Sequence, residues 1–264
     1  MLFDSLFGND HCRACGRRTR LRDLGRVDAT HPGPFHTRDF KLILCPRCEV
    51  VYLDPAPTPD DLRTLYENSV QFADPHYTDD DRIARMLEYY TGAIRNLLPP
   101  HGGRALEIGA GYAWVSRAAK QIDPSIVTVA QDVSGEVAEK CPWVDRYHVG
   151  PLSSLADREP FHLASMTHVI EHLVDPEAML AAVAERLVPG GKLFVTAPYR
   201  PIGWHADAGL TGWREYSYLH VPAHVSYLSR AWFDRVGPKH GLHVQHWDAG
   251  HEDGQAFELV LLRR

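Results

Sequence analysis

From Arg104 onward, short apolar runs alternate with stretches of helical periodicity. The runs are Ala105-Leu-Glu-Ile, Ile126-Val-Thr-Val-Ala, Tyr147-His-Val, Phe161-His-Leu-Ala-Ser-Met-Thr and Lys192-Leu-Phe-Val-Thr-Ala. Helices are expected between them: from the glycines at 109–111 to about Gln121, from Gly135 to about Lys140, and from Pro176 to Leu187. Pro189-Gly-Gly closes the last of these. Strands separated by helical segments predict a parallel, doubly wound α/β sheet. Ser229 caps a further helix to about Lys239, and Gly241 to Trp247 and Ala256 to Leu262 read as closing strands. The short connection between those two predicts an antiparallel hairpin at the sheet edge.

Upstream the pattern differs. Asp79-Asp-Asp opens a helix to about Leu98 with Ile83, Met86, Leu87, Tyr90, Ile94 and Leu97 on one face, and Pro99-Pro100-His-Gly-Gly stops it. Thr58-Pro-Asp-Asp starts a shorter helix, with Thr58 as N-cap and Pro59 in the first turn. Before it, Pro55-Ala-Pro-Thr-Pro is a rigid linker. Leu42-Ile-Leu and Val50-Val-Tyr-Leu are short strands flanking a cysteine pair.

With 264 residues, 44% hydrophobic and 23% charged, the composition excludes disorder and low complexity. No uncharged apolar run is long enough to span a bilayer, and Met1-Leu-Phe-Asp lacks the features of a signal peptide, so a cytoplasmic location without membrane contact is expected. Charge is uneven: residues 1–50 are net +3 and the rest net −9. That balance disfavours a dedicated nucleic-acid binder.

Four of the five cysteines form two pairs, Cys12-Arg-Ala-Cys15 and Cys45-Pro-Arg-Cys48. In a reducing compartment such pairs suit tetrahedral zinc, and four thiolates make a closed, structural site. A dithiol redox pair or idle thiols are the alternative. Cys141 stands alone and reads as a small, half-buried apolar residue.

Glu107-Ile-Gly109-Ala110-Gly111-Tyr-Ala113 lies between a strand and a helix, where glycines admit a ligand to the backbone amides at a helix N-terminus. Asp132 follows Gly111 by 21 residues, at the end of the next strand, placed to accept two ribose hydroxyls. A dinucleotide and an adenosyl sulfonium both remain open. Ala113 occupies the place of a third glycine, and Glu107 favours the sulfonium, whose methionine ammonium it can help to bind.

Leu106-Glu-Ile-Gly-Ala-Gly, Asp132-Val-Ser, Thr167-His-Val-Ile-Glu-His-Leu-Val-Asp-Pro176 and Pro189-Gly-Gly-Lys-Leu-Phe-Val-Thr-Ala-Pro198 resemble the motifs of class I S-adenosylmethionine-dependent methyltransferases, in order and spacing, over residues 100–262. Together with the paired cysteines, the chain resembles sugar C-methyltransferases and related small-molecule enzymes with an N-terminal zinc module. The resemblance implies a Rossmann-like doubly wound, mostly parallel sheet with an antiparallel last strand. It divides the chain into a small four-cysteine zinc module (1–57), a helical connector or lid (58–100) and a methyltransferase domain (101–264) with a substrate lid at 198–228. S-adenosyl-L-methionine would be held by Glu107, Gly109, Ala110, Gly111, Asp132, Val133, Leu152, Thr167 and His168, and structural Zn2+ by Cys12, Cys15, Cys45 and Cys48. The chain departs from the family at Phe161-His162, where an acid is usual, and at Gly150-Pro-Leu-Ser-Ser, which lacks an adenine-binding acid. Adenine is then expected to rest on backbone groups and Leu152.

Methyl transfer needs in-line positioning above all, and a base only for some acceptors. The 198–228 segment carries Trp204, His205, Trp213, Tyr216, Tyr218, His220, His224 and Tyr227, which predicts an acceptor pocket and lid. His224 is the first candidate base and His168 the second; the alternative is that the histidines hydrogen-bond the loop and the aromatics pack it. His168, Glu171 and His172 have a spacing that could face one metal on a helical turn. The ubiquinone-pathway O-methyltransferases are similar at this stretch and use a divalent ion, but have an acid where this chain has His168. The expectation is that Glu171 and His172 brace the helix and cofactor loop. The expected function is methyl transfer to a small molecule, a sugar nucleotide or natural-product intermediate. The alternatives are an RNA methyltransferase and a non-enzymatic interaction module.

Overall fold

The structure is a computed structural model that describes residues 11–30, 34–67 and 79–264. Seven strands form the larger sheet: β4 (Arg104–Ile108), β5 (Val127–Asp132), β6 (Arg146–Val149), β7 (Phe161–Thr167), β8 (Leu187–Pro198), β10 (Leu242–Gly250) and β11 (Ala256–Arg263). Their order is β10-β11-β8-β7-β4-β5-β6. The five strands from β8 to β6 are parallel, and β11 and β10 add antiparallel. The chain winds outward from β4 through β5 and β6, then crosses to β7 on β4's other side. Ligands of such sheets bind beyond the carboxyl ends of the strands at that reversal.

Both faces of the sheet are covered, which explains the continuous apolar runs. Ala105, Leu163 and Phe194 pack with α2 (Asp80–Ile94) and α3 (Trp114–Ile122). Their neighbours Leu106, Ala164 and Leu193 face the opposite way, against α4 (Pro176–Ala184) and α5 (Arg230–Val236). Several expected boundaries move. The helix expected over 135–140 is only a 3-10 turn at Ala138–Lys140. The α4 helix stops at Ala184 because Leu187 already pairs with Phe161, so Pro189-Gly-Gly lies inside β8. Gly191 packs tightly there: a Cβ would sit 2.9 Å from the Val188 carbonyl.

A smaller antiparallel sheet, order β1-β2-β3-β9, is built from β1 (Arg22–Val27), β2 (Phe40–Leu44), β3 (Val51–Asp54) and β9 (Ser226–Tyr227). Its last strand comes from the 198–228 segment, and Val51 pairs with Tyr227. Phe40, Leu42 and Leu53 share a core with Trp204, Trp213, Tyr216 and Tyr227. Among the described residues no helix is long and apolar enough to cross a membrane.

The α1 helix (Pro59–Glu67) is fixed at its start by a reciprocal cap. Thr58 Oγ1 accepts from the Asp61 amide at 3.2 Å, and Asp61 Oδ2 accepts from the Thr58 amide at 2.8 Å. Arg38 donates to the same carboxylate at 2.7 Å. Chiefly through Arg38, the Asp61 carboxyl is held down at about 2. A depressed carboxyl contributes stability above its unfolded value of about 3.9 and loses it as pH falls through the folded one. Asp61→Asn is therefore expected to cost about 1 kcal/mol at neutral pH, the half-exposed Arg38 limiting the gain, and almost nothing near pH 2. Thermal melts of both proteins across that range check this; an equal difference at every pH would refute it.

Candidate active site

At the end of β4 the chain turns through Gly109 (φ +62°) and Gly111 (φ +47°). A Cβ on Gly109 would lie 2.4 Å from Val169 Cγ2, so that position admits only glycine without rearrangement. The Ala110 amide donates across to the Gln131 carbonyl at 3.0 Å, and the Gly111 amide donates to Asp132 Oδ2 at 2.8 Å. The other Asp132 oxygen accepts from the Ser134 amide at 2.9 Å. Glycine loop and acid thus meet at the sheet's switch point, joined by a hydrogen bond. Tyr147 OH and Trp143 Nε1 donate to the Gly111 and Ala113 carbonyls at 2.8 and 2.9 Å and fix the loop from below.

Glu107 is buried beneath that turn. Its oxygens accept from the Val115 and Ser116 amides at 3.1 and 2.7 Å, so it caps the first turn of α3. Burial pushes its carboxyl up to about 7, against the pull of those amides. Beside Asp132, Val133 is 61% exposed and Val149 51% exposed, an apolar shelf at the ends of β5 and β6. Leu152 points elsewhere: it is packed into the main core, with its carbonyl accepting from Arg186. Cys141 is buried under the loop, its thiol donating to the Val137 carbonyl.

Across the switch point, Thr167 ends β7 and His168 follows with φ +53°. His168 Nε2 donates to Glu252 Oε1 at 2.9 Å, and Tyr218 donates its hydroxyl to Glu252 Oε2. The His168 and Tyr218 rings stack at 5.8 Å. Burial opposes protonation of His168, but Glu171 and Glu252 outweigh it and raise the ring to about 10. Glu252 sits in the β10–β11 connection with φ +50°, next to Asp253 at +56°. Nothing in the sequence marks it: its role depends on a contact 84 residues away along the chain.

His172 and His224 lie behind His168. Their rings meet edge-on at 4.7 Å, and His220 stacks on His224 at 4.7 Å. His172 Nδ1 donates to the Ala223 carbonyl at 3.0 Å and His224 Nδ1 to the Tyr218 carbonyl at 2.7 Å. Burial lowers both rings, His224 to about 3. The structure therefore brings Tyr218, His220 and His224 together with His168, Glu171 and His172. The remaining residues of the segment serve differently. Trp204, Trp213, Tyr216 and Tyr227 make edge-to-face or tilted contacts inside the core shared with β2 and β3, Trp213 with no exposure at all. His205 is exposed, at the start of a 3-10 turn.

Cys12, Cys15, Cys45 and Cys48 are buried, with all four sulfurs within 4.8 Å of one another. Cys12 Sγ and Cys48 Sγ are 3.8 Å apart, and tetrahedral zinc with bonds of about 2.3 Å needs edges of about 3.8 Å. The neighbouring Cys12 and Cys45 thiols, and then burial, push the Cys48 thiol far up. Four thiols so crowded favour a cation that takes them all as thiolates. The knuckles are embedded in the larger fold: Ser229 Oγ donates to the Cys48 carbonyl and Trp232 Nε1 to the Ala14 carbonyl, each at 2.5 Å.

Strand order and glycine loop together define the class I S-adenosylmethionine-dependent methyltransferase fold. The family model described as "Methyltransferase domain" matches residues 80–246, and the chain belongs to that family. A curated relative, the ubiquinone biosynthesis O-methyltransferase of Xanthomonas euvesicatoria pv. vesicatoria, is 33% identical over 121 residues, 42% of this chain and 47% of that protein. The chain thus spans about half the length of the relatives it matches. Among solved structures, an S-adenosylmethionine-dependent methyltransferase from Mesorhizobium loti superposes with a TM-score of 0.51 at 18% identity, covering 69% of this chain and 100% of that one. The amino pentose methyltransferase CalS10 from Micromonospora echinaspora, solved with S-adenosylmethionine, gives 0.52 at 14% identity, covering 69% and 92%.

Proposed function

We propose that this protein transfers the methyl group of S-adenosylmethionine to a hydroxyl of a small-molecule acceptor, a sugar nucleotide or natural-product intermediate. The observation that carries the reading is the meeting of Gly109, Gly111 and Asp132 at the switch point, beside the exposed Val133. In this reading Asp132 accepts the ribose hydroxyls, the loop amides and glycines face the methionine half, and adenine lies on Val133 and Val149. Glu107 contributes by holding the N-terminus of α3 and not by touching the ammonium. The acceptor lies over His168 and Tyr218. His168, one-third exposed and gripped by Glu252, is a ring of the cluster open to solvent at the end of β7, and the more exposed His220 stacks on His224. The buried His224, its proton affinity lowered, organises the segment behind it. The O-methyltransferase name of the curated relatives supports oxygen as the methylated atom. The cysteine cluster is read as structural zinc, within the organisation of zinc module, helical connector and methyltransferase domain.

Calorimetric titration with S-adenosylhomocysteine, alongside NAD, tests this reading. Binding near the micromolar range, about −8 kcal/mol, with NAD silent, is expected. Binding of NAD alone, or of neither, would overturn it. Asp132→Ala is expected to weaken the S-adenosylhomocysteine complex by roughly 1–3 kcal/mol, through loss of charged hydrogen bonds to ribose and of the anchor on Gly111. Unchanged affinity would show that another residue holds the ribose.

A further inference from the structure

Glu252 and Asp253 follow one another in the left-handed region, at φ +50° and +56°, inside the β10–β11 connection. A residue with a Cβ is strained there, and glycine is not. The turn is nevertheless pinned from two sides. Tyr89 of α2 stacks on His251 at 4.8 Å and donates its hydroxyl to Glu258 at 2.5 Å. From the 198–228 segment, Tyr216 donates to the Gln255 carbonyl at 2.5 Å and Ser217 Oγ to Gln255 Oε1 at 2.6 Å. Strain of this kind persists where the surroundings over-determine it, and it gathers at functional sites.

The strained turn delivers a carboxylate to the acceptor face. Glu252 Oε1 accepts from His168 Nε2 at 2.9 Å, Oε2 accepts from the Tyr218 hydroxyl, and His251 Nε2 lies 3.6 Å from Oε1. His168, itself left-handed at φ +53°, turns its other nitrogen to the buried Glu171, with Nδ1 3.6 Å from Oε1. Both ring nitrogens thus face carboxylates, which accept and do not donate, so both carry protons. Burial alone would raise the Glu252 carboxyl, but His168 and Tyr218 hold it down at about 2. The other groups around the ring do not compete. Burial lowers His172 and His251, which keeps them neutral at neutral pH, and Arg82 of α2 acts on Tyr218.

We propose that Glu252 is a positioning residue of the methyl-transfer site: its carboxylate fixes both groups of the acceptor face, the His168 ring as a hydrogen-bond donor and the Tyr218 oxygen as an acceptor. That role rests on the proposed methyl transfer, which places the acceptor over these two rings. Because the Tyr218 proton is committed to Glu252, the Tyr218 oxygen is left to accept a hydrogen bond from an acceptor hydroxyl. His168, with protons on both nitrogens, is then not a base but a fixed positive charge. It favours the hydroxyl oxygen as its proton is drawn toward Tyr218. Glu252 acts only through these two side chains.

Protein labelled with nitrogen-15 in its histidine rings tests this by nuclear magnetic resonance, the His168 signals being those lost in His168→Gln. In the unaltered protein the ring should keep both protons past neutrality and release one near pH 10. Glu252→Gln keeps the shape and removes the charge, so the midpoint should fall by about 1–3 pH units. Glu252→Gly relieves the left-handed strain as well, and the midpoint should fall there too, because charge and not the shape of the turn sets it. An unchanged midpoint in either variant, or an unaltered protein whose His168 titrates near the ordinary 6.5, would overturn the proposal. Titrations with S-adenosylhomocysteine on the same samples separate the two readings. Normal cofactor binding with a His168 indifferent to Glu252 sinks the positioning role alone. A clamped His168 without cofactor binding sinks the methyl-transfer reading and leaves the clamp standing.

Discussion

Cys45→Ser is expected to empty the tetrathiolate site and to loosen far more than the N-terminal segment. The paired cysteines share a core cluster with Trp232, Phe233 and the larger sheet. Arg13 Nη2 donates to the Val225 carbonyl at 3.0 Å, and the Leu53 amide donates to the same carbonyl at 3.0 Å. Once the knuckles open, β3 loses its frame, β9 loses its partner, and the run from His224 to Ser229 is released from one side. Structural zinc is worth about 10–16 kcal/mol in isolated fingers. If about 5 kcal/mol of that is expressed here, melting falls by roughly 10–20 °C for a chain of this size. Hydrogen exchange gives the sharper test: protection should be lost over 40–54 and 225–236 and kept over 104–108. Unchanged metal content and exchange would refute the four-cysteine site.

That reach explains what the sequence displays and what it hides. The β4 strand, the glycine loop and Asp132 are legible because their signals are local: an apolar run, a turn that needs positive φ, an acid one strand later. The smaller sheet is not. Its β1 reads Arg22-Asp-Leu-Gly-Arg-Val, an edge strand with largely exposed side chains and a bulge between Asp23 and Gly25, so it carries no apolar alternation. Its β9 is two residues long and exists only because Val51 and Tyr52 lie alongside. The same holds for the aromatic segment. Nothing in residue type separates Tyr218, which grips Glu252, from Trp213, which is sealed in the core; tertiary packing alone decides. Sequence spacing groups His168 with Glu171 and His172, whereas the fold also brings His224, 53 residues beyond Glu171 along the chain, to within 4.8 Å of Glu171 and His172. Leu152 reads as an adenine contact from its place after β6, but Arg186 and the core turn it inward.

Gly109→Ala is expected to abolish most cofactor binding although it adds a single methyl. Two penalties coincide there. An L-residue held at φ +62° costs about 1–2 kcal/mol. The new Cβ would also sit 2.4 Å from Val169 Cγ2 and 3.1 Å from Cγ1. Val169 is β-branched and stiff at χ1, so it cannot swing aside. It is anchored as well, because the preceding His168 amide donates to the Thr196 carbonyl at 2.9 Å and the His168 ring to Glu252. The loop must therefore move, and with it the Ala110 and Gly111 amides and the anchor on Asp132. A loss of about 100-fold in affinity for S-adenosylhomocysteine, near 2.7 kcal/mol, is expected. The double variant Gly109→Ala with Val169→Ala divides the causes. It relieves the overlap and leaves the backbone penalty, so partial recovery is the expected result. Wild-type affinity in the single variant would mean that the ligand does not approach this turn, and the proposed cofactor pose would fall.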